Sequence, residues 1–146
     1  MMCNTVSSEP KLVTNSMESS FYQELVSSLL TCKRFYFSVA FINYSGLQIL
    51  LDTFKELGEK NVKGKVITST YLNFTDIKSL RKLSDFNNID TKIYVADSYK
   101  GFHTKGYIFE YEDTYKIIVG SSNITQSALK SNVEWNVRYV SKKSDA

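Results

Sequence analysis

A single histidine, His103, and two cysteines, Cys3 and Cys32, are all that this 146-residue chain offers a soft metal site. No Cys/His zinc set can be built from them, and two cysteines without a partner motif make no disulfide framework. One proline and six glycines exclude collagen-like and low-complexity classes. No apolar run approaches the roughly twenty residues of a membrane-spanning helix. The opening residues, Met1-Met2-Cys3-Asn4-Thr5, lack the charged and apolar segments of a secretory signal, so a cytoplasmic protein without a membrane partner is expected. An excess of one charge is missing too. Eighteen basic against fifteen acidic residues leave a net charge of +3, far from a protein that only coats nucleic acid, yet compatible with a local basic site.

What is present points to one folded domain. Apolar residues make up 42% of the chain, enough to bury roughly two thirds of the unfolded surface without a metal or disulfide staple. Residues 1–10 read as a loose lead-in broken by Ser7-Ser8-Glu9-Pro10, and residues 11–146 as the domain. A first helix is expected after Asn15, with Glu18 completing a capping box and Phe21, Leu25 and Leu29 on its apolar face. The run Phe35–Phe41, too apolar to alternate, reads as a buried strand. Ser45 and Gln48 have capping-box spacing for a second helix carrying Leu47, Leu50, Leu51, Phe54 and Leu57, which Gly58 should end. Strands are expected over Lys65–Ser69 and Thr91–Val95, around a helix from Thr75 to Phe86 buried through Ile77, Leu80 and Leu83. A hairpin over Thr104–Tyr111 and Tyr115–Val119, a short helix at Asn123–Leu129 and a strand at Val133–Val140 complete the pattern. The expectation is an α/β fold with a mixed central sheet and helices on both faces.

Two stretches carry chemistry. In Phe102-His103-Thr104-Lys105-Gly106-Tyr107, residues two apart in a strand point the same way, so His103 and Lys105 project together. In Val119-Gly120-Ser121-Ser122-Asn123, Ser121 and Asn123 stand in the same relation at the end of the neighbouring strand. An imidazole, an ammonium, a hydroxyl and a carboxamide at one sheet end make a cradle for a phosphate. The imidazole can also attack phosphorus, if an acceptor holds its other nitrogen. Glu134, on the last strand among Val133, Trp135 and Val137, suits that task as a buried acceptor with a partner. Taken singly, each of these residues is commonplace in turns and strands. Their joint spacing is not.

The spacing resembles the phospholipase D superfamily, whose signature is H-x-K-x4-D followed by G-S-x-N. His103 and Lys105 match the first part; Gly120, Ser121 and Asn123 match the second. Glu134, eleven residues beyond Asn123, falls where the superfamily's histidine-orienting glutamate stands. Glu110 occupies the position of the motif Asp, a mainly structural acid, and the gap from there to Gly120 is a few residues longer than usual. Leu12–Asn15, Phe37–Ile42 with Ser45-Gly46-Leu47, Val119–Thr125 and Val133–Asn136 are similar to one branch, the phospholipase D-like module of bacterial helicase-containing restriction-type proteins. No phosphate-binding Gly-Lys-Ser/Thr loop is present, so the helicase would be a separate domain or subunit.

The resemblance implies a metal-independent phosphodiesterase without a cofactor, acting as a DNA endonuclease module through a phosphohistidine. With one histidine per chain, it further implies a homodimer whose two His103 residues share one site. The alternative is a binding module that grips DNA backbone phosphates for a helicase or restriction assembly without cutting. Lys60, Lys63, Lys65, Lys78, Arg81 and Lys82 could add a phosphate track, or simply a solvated face. A lipid substrate is the least supported, since no basic amphipathic helix is evident.

Overall fold

Alternation is weak in the sequence of Arg34–Val39 but plain in space: Phe35, Phe37 and Val39 are buried, while Tyr36 and Ser38 stand on the other face. A computed structural model describes residues 9–70 and 74–145, so the first eight residues of the lead-in lie outside the described chain. The strands are β1 (Lys11–Val13), β2 (Arg34–Val39), β3 (Lys63–Ser69), β4 (Ile89–Tyr94), β5 (Lys105–Glu110), β6 (Thr114–Gly120) and β7 (Asn136–Lys142). The helices are α1 (Phe21–Thr31), α2 (Tyr44–Gln48), α3 (Leu51–Glu59), α4 (Ile77–Ser84) and α5 (Gln126–Lys130). The strands form one sheet in the order β1-β7-β6-β5-β2-β3-β4. Strand β2 is its seam, parallel to β3 on one side and antiparallel to β5 on the other. The mixed sheet with flanking helices is as expected.

All five helices feed one core. Phe21, Leu25 and Leu29 of α1, Leu47 of α2, Phe54 and Leu57 of α3, Leu83 of α4 and Leu129 of α5 join Phe35, Phe37, Val39, Tyr107, Phe109 and Ile118 of the sheet. Each such side chain contributes about 1.5–3 kcal/mol through burial. Helices were expected over both faces; among the described residues they gather on this one. The opposite face presents Leu12, Val137 and Val119 in register across three strands, with Ile108 and Tyr139 beside them, all exposed.

Element ends differ from the sequence reading for local reasons. Asn15 does not cap α1. Ser20 and Gln23 form the capping box instead, because Ser16 folds residues 16–19 into a turn by accepting from the Glu18 and Ser19 amides. Asn15 becomes a tie: its amide donates to the Ala128 and Asn132 carbonyls and its oxygen accepts from Phe21. The second helix is two, α2 capped by Asn43 rather than Ser45, then α3 from Leu51. Gly58 lies inside α3. The helix ends at Asn61 (φ 60°), where the Val62 amide reaches Leu57 O and the Asn61 amide reaches Gly58 O. This is a Schellman closure with Asn in the left-handed position. Helix α4 is shorter than expected and rotated: Asp76 caps it, Ser79 and Leu83 face inward, and Ile77 is 68% exposed.

Two close constraints are testable. Helix α2 lies so near the 124–125 backbone that a Cβ on Gly46 would sit 2.3 Å from the Ile124 oxygen. Alanine normally stabilises a helix relative to glycine by about 1 kcal/mol. Here Gly46→Ala should instead destabilise by about 1–3 kcal/mol, read from the urea midpoint.

At the far end of the sheet, Glu110 accepts from Lys143 (2.8 Å) and Tyr36 (3.2 Å). The Lys143 hydrogen bond, outweighing burial, holds its carboxyl below the ordinary value of 4.5. A depressed carboxylate stabilises fully above that ordinary value and loses its contribution as pH falls through the folded one. Glu110→Gln should therefore lower the melting temperature near neutral pH, and the deficit should shrink on acidification through the carboxylate range.

Candidate active site

Strand register assembles the site. Lys105 pairs with Val39, Gly106 with Val119, and Gly120 with Asn136, so the end of β2, the start of β5, the end of β6 and the start of β7 meet at one edge. His103 lies two residues before β5, and its side chain folds onto the first residue of that strand. Lys105 Nζ is 2.9 Å from His103 Nδ1 and 3.2 Å from Nε2, and donates to the His103 carbonyl at 3.1 Å. Burial pulls the Lys105 ammonium below its ordinary value, and the Glu134 charge works the other way. Glu134 is thus electrostatically coupled to the imidazole's neighbour.

Ser121 and Asn123 flank a fully buried residue, Ser122, and point different ways. The Ser121 hydroxyl donates to Glu134 and accepts from the Trp135 amide at 3.0 Å. The Asn123 oxygen accepts from the Phe41 amide at 3.2 Å, which orients the carboxamide at the end of β2 and leaves its NH2 as the donor. The 123–125 segment is stitched there by the Ile42–Ile124 bridge and by the Asn43 amide on Ile124 O.

Glu134 is not on the last strand. β7 begins at Asn136, because the Ser121 amide donates to Trp135 O and its hydroxyl takes the Trp135 amide, which turns residues 131–135 away as a loop. Glu134 is half-buried rather than buried, and its flanking residues stand outward: Val133 is 92% exposed and Trp135 70%. Glu110 lies at the other end of β5, with Lys143, as a structural acid would. Among the described residues no cluster of three His, Cys, Asp or Glu could hold a metal ion. Burial pushes the Cys32 thiol up to about 11, which keeps it from acting as a nucleophile.

Sequence reasoning missed the residues that hold this edge in shape. Tyr107 is fully buried and donates to the Ser122 carbonyl at 2.7 Å. Asn136, also fully buried, accepts from the Ser122 amide (3.3 Å) and donates to the Ser122 hydroxyl (2.9 Å). The available signal was an asparagine at the start of a strand, a residue type that strands disfavour. Gly120 belongs to the same arrangement, since a Cβ there would lie 2.3 Å from Trp135 O and 2.4 Å from Asn136 Oδ1.

Solved structures share this architecture. NucT from Helicobacter pylori is 13% identical with a TM-score of 0.67, over 89% of this chain and 84% of that one. The phospholipase D family member Nuc from Salmonella typhimurium is 18% identical with a TM-score of 0.59, over 90% and 83%. Yeast tyrosyl-DNA phosphodiesterase is 16% identical with a TM-score of 0.54, over 91% of this chain but 32% of that one, so the chain spans about a third of that enzyme. At these identities the likeness defines the class, a phospholipase D-like α/β fold. Residues 29–145 match the family described as "Cardiolipin synthase, PLD-like domain", and the chain belongs to that family. No curated protein matches it.

If Asn136 holds the edge, Asn136→Ala leaves the buried Ser122 amide and hydroxyl without it. Stability should fall by about 2–4 kcal/mol in urea titration, about 1–3 for each buried polar group left unpaired. A loss within a few tenths of a kcal/mol would show that the clamp is dispensable.

Proposed function

We propose that this chain is a metal-independent phosphodiesterase that cuts nucleic acid, with DNA as the expected substrate. The observation that carries the reading is the joining of His103 to Lys105, and of Ser121 to Glu134, at the sheet edge where Asn123 is also anchored. A phosphodiester placed there meets the Lys105 ammonium and the Asn123 carboxamide as donors to its non-bridging oxygens, while the Ser121 hydroxyl, whose one proton goes to Glu134, ties that carboxylate to the site. The solved relatives support a nucleic-acid substrate. One is named a tyrosyl-DNA phosphodiesterase, and NucT and Nuc, whose lengths this chain nearly matches, are built on the same fold.

In this reading a His103 ring nitrogen attacks phosphorus, forming a P–N bond as the P–O bond to the leaving oxygen breaks. That oxygen needs a proton, and the chain has one histidine. The acid is then His103 of the partner subunit in a symmetric dimer, which later takes a proton from the water that cleaves the phosphohistidine. Glu134 supports the positive charge of the site, through Ser121 and its field on Lys105 or by turning to the imidazole. The outward Val133 and Trp135 next to it suit the two-fold contact. A cytoplasmic location and a helicase or restriction partner complete the reading that the sequence resemblance suggests.

The test is incubation of purified protein with labelled DNA in EDTA. Nicking should survive chelation and fall by about three orders of magnitude or more in His103→Ala, as for loss of a nucleophile. Glu134→Gln should cost about two orders of magnitude. Light scattering at the assay concentration should give a dimer, and full activity from a monomer would refute the shared site. Binding of DNA without any product would move the reading to the non-catalytic backbone-binding module.

A further inference from the structure

Phe41 connects the phosphate cradle to a second feature of the surface. While its amide holds Asn123, its ring packs 5.1 Å from that of Phe74, which is 54% exposed. Three residues further along the chain, Tyr44 carries the Lys78 ammonium 3.5 Å from its ring centroid. Tyr44 and Lys78 then line a shallow groove along α4 that continues past Ile77 to Arg81, with the Lys82–Asp85 ion pair also in its lining. The order outward from the cradle is ring pair, ring with cation, cation. The other lysines that sequence grouped with this set do not belong to it. Lys60 pairs with Glu56, and Lys63 opens β3 at the opposite end of the sheet.

Rings that lead into a basic groove fit one polymer particularly well. Unpaired bases stack on aromatic faces with little regard to sequence, while cations follow the phosphates between them. A duplex hides its base faces inside its own stack and has no use for such rings. A lipid headgroup would use the cations but not an ordered series of rings.

We propose that this groove binds single-stranded nucleic acid, seating the nucleotides that flank the phosphate in the cradle. Phe74 and Tyr44 are the stacking surfaces, with Phe41 as backing, and Lys78 and Arg81 contact phosphates. The inference rests on the phosphodiesterase reading of the cradle and names its substrate class. Selectivity for unpaired strands resides in the groove rather than at His103, and a duplex is cut only where it opens.

Fluorescence anisotropy with His103→Ala protein, which spares the probe, tests this with a fluorescein-labelled 12-nucleotide oligo-dT, an abasic 12-mer and a 12-base-pair duplex. Oligo-dT should bind about tenfold or more tighter than the abasic strand or the duplex. The pair Phe74→Ala and Tyr44→Ala should remove most of that preference while leaving the abasic strand's affinity in place. Tyr44→Phe, which keeps the ring, should retain it, so misfolding would not pass for support. Lys78→Gln should weaken binding of all three probes and reduce the salt slope by about one.

Equal affinity for oligo-dT and the abasic strand overturns the proposal. So does Phe74-dependent binding to phosphatidylglycerol vesicles without preference for oligo-dT. Hydrolysis of bis-p-nitrophenyl phosphate by the unaltered protein separates the two readings. Hydrolysis without oligo-dT preference sinks the groove alone; oligo-dT preference without hydrolysis sinks the catalytic reading and leaves the groove in place.

Discussion

Ser122 is the residue on which the shape of the site depends. It is fully buried, and its three polar groups are all met: the carbonyl by Tyr107, the amide and hydroxyl by Asn136. A buried hydroxyl and peptide without partners would be strongly unfavourable, so the clamp admits few alternatives. Its consequence is geometric. With Ser122 pulled inward, Ser121 is left outside to meet Glu134, while Asn123 runs on beneath the end of β2 to the Phe41 amide. The two polar side chains that follow Gly120 are therefore held by different neighbours, Ser121 by Glu134 and Trp135 and Asn123 by the end of β2. Preorganisation of this kind lets donors act without reorganising at the moment of reaction.

Candidate residues could be picked out from their types, their spacing and the family resemblance, and strand spacing says which of them can share a direction. His103 and Lys105 illustrate this: two apart, and in contact. The clamp was not legible, since Tyr107 and Asn136 look like any aromatic and any polar residue of a strand until the sheet is paired. Element ends were read less well, for a related reason. Asn15 and Ser20 are both good caps, and the choice between them is made by the Ser16 turn and the pull of α5 on Asn15. Glu134 was assigned to a strand on the strength of Val133, Trp135 and Val137. All three proved exposed, so their apolar character reflected surface rather than core.

The same ambiguity explains the sheet. The run Phe35–Phe41 reads as a continuous apolar stretch, the usual mark of a strand covered on both faces. Phe35, Phe37 and Val39 do face the helices, but Ile108, Val119, Val137 and Tyr139 lie on the side that the described helices leave open. Composition records that a side chain is apolar. It does not record what, if anything, packs on it.

Phe41 ties the Asn123 carboxamide and an aromatic pair to one residue. Its backbone fixes Asn123, so the carboxamide donor is set by main-chain geometry and survives changes in the Phe41 ring. Its ring packs on that of Phe74, and the chain runs on from it to Tyr44, which carries Lys78. A shift of the chain after β2 would therefore move the phosphate donor and the stacking surface together. Asp76 opposes such a shift from the other side, accepting from the Tyr44 amide at 2.8 Å while capping α4 through Ser79. Although burial disfavours its charge, those hydrogen bonds and the nearby Lys78 hold its carboxyl below the ordinary value. One carboxylate thus ties the chain that follows β2 to the helix that carries Lys78 and Arg81, so the spacing between the Asn123 anchor and that helix is set by the fold rather than by mobile side chains.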